Sequence, residues 1–171
     1  DRLTWLTSIS SQVLTGMAPG ESRELLIMNP QGHIEHACVA IDDGEILYLI
    51  TEASDAQALA DWLNSMRFAI RVEITISQRW WLVGSIGDSG VSQCDQVALT
   101  WNDPWPGVVD GVAAYYQGKH PGESLAFHIH LVPREKAPEF WRAWSEAAPK
   151  RRAAGIAAWE ATRIAAWRPR L

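Results

Sequence analysis

The chain has 171 residues, 47% hydrophobic and 20% charged, with a net charge of −5 and ten tryptophans. That composition is enough to build a core and excludes a disordered chain. The acidic balance argues against general nucleic-acid binding, which needs a basic surface, although 150–152 and 163–170 are locally basic. The tryptophans imply large apolar contact surfaces, a subunit interface among them.

Cys38 and Cys94 have no metal-ligand spacing, so the expectation is a reduced, cytoplasmic protein with no metal site. No apolar run approaches the ~18 residues that span a membrane, and no signal-peptide pattern is visible. The numbering opens on Asp1 rather than Met, which leaves room for a segment ahead of it.

In chain order, 4–16 reads as a helix. Thr4 is placed to cap it, Trp5, Ile9 and Val13 share a face, and Gly16 is placed to stop it. Residues 23–29 read as a strand, Pro30-Gln31-Gly32 as a turn and 33–41 as the return strand. Asp42-Asp43-Gly44 makes a second turn, since Asp-Gly tolerates positive φ. Residues 45–51, apolar on both faces, predict a central strand covered on both sides. Ser54 followed by Gln57 has the capping-box pattern, and Ala56, Leu59, Ala60 and Leu63 form an apolar helical stripe.

The strongest strand signal lies at 67–77. Phe68, Ile70, Val72, Ile74 and Ile76 alternate without a break against polar or small neighbours. A second run follows at 80–86, and the pair predicts a long antiparallel ribbon, although Gln78-Arg79 is not a standard hairpin turn. Further on, 91–100 and 108–116 read as helices around a Pro-rich loop at 102–107, with a loop at 117–123. Residues 125–132 alternate as a strand, 138–147 read as a short helix, and 159–167 as a strand or a helix continuing from Lys150. Antiparallel strands with helices outside give an α+β protein built on a small barrel.

The order of these elements, with several short motifs, resembles the FMN-binding split-barrel family of the pyridoxamine 5′-phosphate oxidase class. The first hairpin, from Leu25 through Asn29-Pro30-Gln31-Gly32, is similar to that family's opening strand and Asp/Asn-x-x-Gly turn. Trp80 to Gly84 resembles the strand that ends in a glycine. Glu139-Phe140-Trp141 resembles a motif of the oxidases themselves, and Trp159-x-x-x-Arg163-Ile164 resembles the family's closing Trp-x-x-x-Arg-Leu. The resemblance implies a six-stranded antiparallel split β-barrel over 1–171 as a single domain, with an irregular helical insert at about 88–122. It also implies a homodimer with FMN at the interface and a flavin-dependent oxidoreductase activity. Thr51 and Ser54 fall where the family holds the flavin phosphate, Arg79 near its flavin-contacting Gln, and Trp159 and Arg163 at the late pair. Arg71, Arg79, Trp80, Trp81 and Arg163 are then the candidate pocket, because rings and guanidinium groups suit a planar anion.

The departures bear on the chemistry. The family's second-strand Arg is replaced by Ala37, and its Ser-Arg-Lys by Ser54-Asp55-Ala56. A phosphate is ordinarily held by Arg and Lys forks with helix N–H groups, and Asp55 repels it. The stretch Lys150-Arg151-Arg152-Ala153 also lacks the His of the oxidases' substrate-phosphate Arg-x-His. Oxidation of pyridoxamine phosphate itself is therefore not expected. The alternative is a degenerate split-barrel homodimer that has lost FMN and serves as a binding or structural protein.

His128 and His130 share one strand face, and His128-x-His130-Leu131-Val132 resembles the end of a histidine-triad nucleotide hydrolase signature whose third His would fall at Ala126. Zinc needs three or four ligands, which His33, His36 or His120 would have to supply, so a polar strand face is the plainer reading. Cys38 has no base visible nearby and reads as a buried thiol.

Overall fold

The computed structural model describes residues 2–106 and 118–170. The chain forms two compact units, Asp1–Gln78 and Arg79–Leu171. Each contains a three-stranded antiparallel sheet with helices, so the fold class is α+β. The ladders among the described residues form two separate sheets and do not close into a barrel.

In the first unit, α1 (Arg2–Ile9) precedes β1 (Ser22–Met28), β2 (Ile34–Asp42), β3 (Leu47–Ile50) and α2 (Ala56–Met66). The first hairpin forms as the turn residues predict. The carbonyl oxygen of the Asn29 side chain accepts from the backbone N–H groups of Gln31 and His33 at 3.0 Å, and Gly32 takes φ +82°. At the second turn Asp42 Oδ1 accepts from Gly44 N–H at 2.7 Å. The sheet order is β1-β2-β3, so β2 is central and β3 is an edge strand, contrary to the expectation from its two apolar faces. Each face of β3 is only half covered.

The first helix is shorter than 4–16. Thr4 lies inside α1, and the chain leaves the helix at Ser10, which bridges to Ile27. Ser11 then exchanges hydrogen bonds with the backbone of Leu26, and Thr7 Oγ1 accepts from Leu14 N–H at 2.8 Å. These hydroxyls divert the backbone from helical bonding. Trp5 is buried, while Val13 is exposed and does not share its face. α2 keeps its stripe, with Leu59, Ala60 and Leu63 buried. Its N-cap position is Asp55 rather than Ser54, no side chain caps it, and Gln57 donates to Asp61 instead of closing a capping box.

The 67–77 strand is the clearest correction. No ladder forms there. Ile70 N–H bonds Arg67 C=O, and Phe68 takes φ +42°, so a turn occupies the start of the run. Ile70, Val72 and Ile74 still pack against the first unit's core, and Arg71, Glu73 and Thr75 are exposed. The period of two is thus realised in burial from Ile70 to Thr75 without strand pairing, while Phe68 and Ile76 are exposed.

In the second unit, β4 (Trp80–Ile86) pairs with β6 (Phe127–Pro133), and β6 with β5 (Leu99–Asn102), giving the order β4-β6-β5. The expected partner of β4 is 67–77, but among the described residues its ladder is with β6, since Gln78-Arg79 lacks the residues of a tight hairpin turn. The helix expected at 91–100 is replaced by one 3₁₀ turn, Val91–Gln93, and β5. Cys94 adopts φ −85°, ψ 124°, which ends helical bonding. The helix expected at 108–116 lies outside the described residues. α3 (Ala137–Ala147) forms as expected. The end of the chain is helical, α4 (Ile156–Ala165), not a strand, and it begins after Gly155 rather than at Lys150. Val132, Phe140 and Trp144 are buried at the centre of this unit.

Candidate functional site

Among the described residues β4 is an edge strand, with no ladder partner on one side of its backbone. Along it runs a groove of about 680 Å³. α3 contributes Trp141 and Trp144, α4 contributes Trp159, and the connection between them contributes Arg151 and Arg152. Trp141 and Trp144 stand three residues apart on one helical face, with ring centroids 5.2 Å apart. Trp81 meets Phe140 and Trp141 edge-on at 5.9 and 6.4 Å. The indole N–H of Trp144 donates to Ser89 C=O at 3.1 Å, which fixes that wall. On the other side Trp159 packs edge-on against Phe127 at 5.0 Å and lies directly over Gly84.

The charge at this groove is basic. Arg151 stands 3.7 Å from Asp88, an exposed pair that contributes well under ~1 kcal/mol. Arg152 is exposed and has no ion pair or hydrogen bond among the described residues. A pocket with several indole faces and a free guanidinium group suits a planar, negatively charged ring system.

The residues expected to bind a cofactor are divided between the units. Trp81 and Trp159 line the groove. Arg79 is exposed, with its guanidinium 4.7 Å from the centre of the Trp80 ring. Arg163 is engaged by Glu160 at 2.8 Å and by Arg168 C=O at 2.7 Å, and it does not line the groove. Thr51, Ser54 and Arg71 belong to the first unit. Thr51 Oγ1 donates to Ala37 C=O at 3.1 Å, and Ser54 is exposed.

The start of α2 does not fit a flavin phosphate. The Asp55 carboxylate lies there, accepting from His36 Nδ1–H at 2.9 and 3.0 Å. The imidazole in contact is therefore already engaged by a carboxylate, and among the described residues no Lys or Arg joins it. A phosphate would meet a fixed negative charge beside the N–H groups that should attract it.

A second, polar pocket of about 100 Å³ lies on the face of β6 that carries His128 and His130. His130 is buried. Its Nε2 is 2.8 Å from Ser85 Oγ and its Nδ1 2.9 Å from Thr100 Oγ1. Burial, with the neighbouring His128 as a smaller cause, lowers its pKa to about 4. The neutral ring therefore donates to one hydroxyl and accepts from the other. His128 Nδ1–H donates to the Asn102 side-chain oxygen at 2.8 Å. Among the described residues no group of three or more His, Cys, Asp or Glu could hold a metal ion. This chain of hydroxyl and imidazole groups satisfies itself, as buried polar networks must.

Cys38 is buried, and desolvation, with a smaller contribution from the Asp55 charge, pushes its thiol up to about 12. It is not a nucleophile at neutral pH. No helix among the described residues is long and apolar enough to cross a membrane. No protein-family model matches the chain, and no curated protein matches it.

Sequence reasoning found Trp81 and Trp159 but missed Trp144, Arg151 and Arg152. The spacing of Phe140, Trp141 and Trp144 on one helix was the available signal. The partners of His130, Ser85 and Thr100, gave none, because a lone Ser or Thr on a strand carries no pattern.

Proposed function

We propose that the chain binds a planar aromatic anion in the groove beside β4 and is not a conventional flavin enzyme. The observation that carries this reading is the meeting of Trp81, Trp141, Trp144 and Trp159 with the unpaired Arg152 around one groove of about 680 Å³. Such a volume falls within the usual range for small-molecule sites. The carboxylate of Asp55 at the start of α2 supports the loss of the phosphate grip. This is the degenerate branch of the split-barrel resemblance, in which FMN is lost as a resident cofactor and the protein serves in binding.

A visible spectrum of the purified protein and a titration of its tryptophan fluorescence with FMN and with riboflavin test the reading. The expected result is a colourless protein whose emission is quenched by micromolar FMN. Riboflavin, which lacks the charge, should bind about tenfold more weakly. Arg152→Ala should remove that difference, and Trp81→Ala should weaken both ligands. Copurified flavin absorbance would return the chain to the flavin-dependent oxidoreductase class. Absence of quenching by either ligand would sink the groove reading.

A further inference from the structure

Ser85, His128 and Asn102 stand in one row across the second sheet, and Val83, His130 and Thr100 in the next, on the same face. The buried imidazole of His130 is closed, since hydroxyl groups engage both of its ring nitrogens. The half-buried imidazole of His128 is not. Its Nδ1–H goes to Asn102, and its Nε2 has no partner among the described residues. In the neutral ring that nitrogen is an acceptor. The Ser89 hydroxyl, in the wall of the same small pocket, accepts from Val91 N–H at 3.4 Å but donates to nothing among the described residues. The Ser92 hydroxyl, also in that wall, has no hydrogen bond among them. The pocket thus offers one free acceptor and two free donors, and no Lys, Arg, Asp or Glu lines it. Ser85 and Ser89 line both this pocket and the aromatic groove, and Ser89 C=O is the acceptor that holds the Trp144 indole.

We propose that the pocket is a second subsite of the groove and takes an uncharged hydroxyl or carboxamide end of the same ligand, which rests on the groove being the site of an aromatic anion. A hydroxyl or amide hydrogen donates to His128 Nε2, while the oxygen of that group accepts from Ser89 or Ser92. A charged end would lose its water there and meet no counter-charge. An apolar end would leave the three groups without partners. At about 100 Å³ the pocket is smaller than the roughly 150 Å³ cavity that admits a benzene ring. It therefore takes a substituent and not another ring. Trp81 in the groove and Ser85 at the pocket stand four residues apart on one face of β4, about 13 Å along a strand. A ligand that spans them is longer than one ring. The preferred class is thus a fused two-ring aromatic acid with a hydroxyl or carboxamide at the far edge from its charge.

Isothermal titration calorimetry with 2-naphthoate and 6-hydroxy-2-naphthoate tests the proposal, with circular dichroism to confirm folding. The hydroxylated acid should bind about tenfold more tightly, the worth of one or two neutral hydrogen bonds. His128→Leu removes the acceptor and should bring the two affinities together. Ser92→Ala, at an exposed position that folding tolerates, should narrow the difference. Equal affinities of the unaltered protein for the two acids would leave the groove standing and overturn the subsite. So would a preference for the hydroxylated acid that survives unchanged in both variants. Binding of neither acid would remove the groove, and the subsite with it.

Discussion

The indole of Trp159 lies so close to Gly84 that a Cβ added to the glycine would stand 2.8 Å from ring atom Cζ3 and 3.0 Å from Cε3. Only a residue without a side chain lets α4 pack this way on β4. Trp159 thereby becomes a wall of the groove rather than a surface residue. Gly84→Ala should displace the ring and cost about 1–3 kcal/mol of stability. Near-UV circular dichroism should change with it. In a Trp159→Leu background the same substitution should cost less than half as much, which a double-mutant cycle of unfolding midpoints will measure.

His130 should make the protein acid-sensitive. Its folded pKa is about 4, against about 6.5 in an unfolded chain. Between those values the unfolded state binds a proton that the native state does not, so stability rises with pH. The contribution is complete above about pH 6.5 and is lost progressively as pH falls towards 4. Its full size is on the order of 3 kcal/mol. His130→Gln should flatten urea-melt stability between pH 6.5 and 5, a window above most carboxylate titration. A slope unchanged by the substitution would show that other groups govern it.

Asp42 is buried and is held by Arg2 through Nε and Nη2, one edge of the guanidinium group, at 2.8–3.0 Å, while also accepting from Gly44 N–H. Removing the cation leaves a buried carboxylate without its partner. Arg2→Ala should destabilise the first unit by about 3–5 kcal/mol. Asp42→Asn, which keeps the turn acceptor and removes the charge, should cost less. Thermal melts of the two variants give the comparison.

In the second unit Arg168 reaches Asp103 at 2.8 and 3.0 Å, with both side chains nearly inaccessible. It also lies 5.1 Å from the centre of the Trp105 ring. Arg168→Lys keeps the charge but loses the fork, and should lower the melting temperature measurably. Arg168→Ala should lower it further.

What could be read from the sequence was local. Asn29 to Gly32 and Asp42 to Gly44 define their turns through side-chain acceptors and positive φ, and these need no distant partner. The stripe Leu59, Ala60 and Leu63 follows from burial on one face, whereas β6 buries His130 and Val132 from its expected polar face as well as Phe127 and Leu131. Ladders were harder, because pairing is decided by what lies opposite. Ile70, Val72 and Ile74 are apolar at strand spacing, yet they bury against the core without a neighbouring strand. β5 was hidden for a related reason, since Leu99 to Asn102 is too short to show a period and is held by pairing with β6. The groove was the least legible feature. Its walls come from Trp81, from Trp141 and Trp144, and from Arg151 to Trp159, and only the fold brings those segments together.

The two free cysteines fall one to each unit, Cys38 inside the first apolar cluster and Cys94 inside the second. Burial raises the pKa of both thiols, so neither reacts readily while its own unit stays closed. Each is thus a built-in clock for the half of the chain that encloses it. A thiol reagent under native conditions, read by peptide mass, should give two opening rates from one sample and show whether the halves come apart together or in turn.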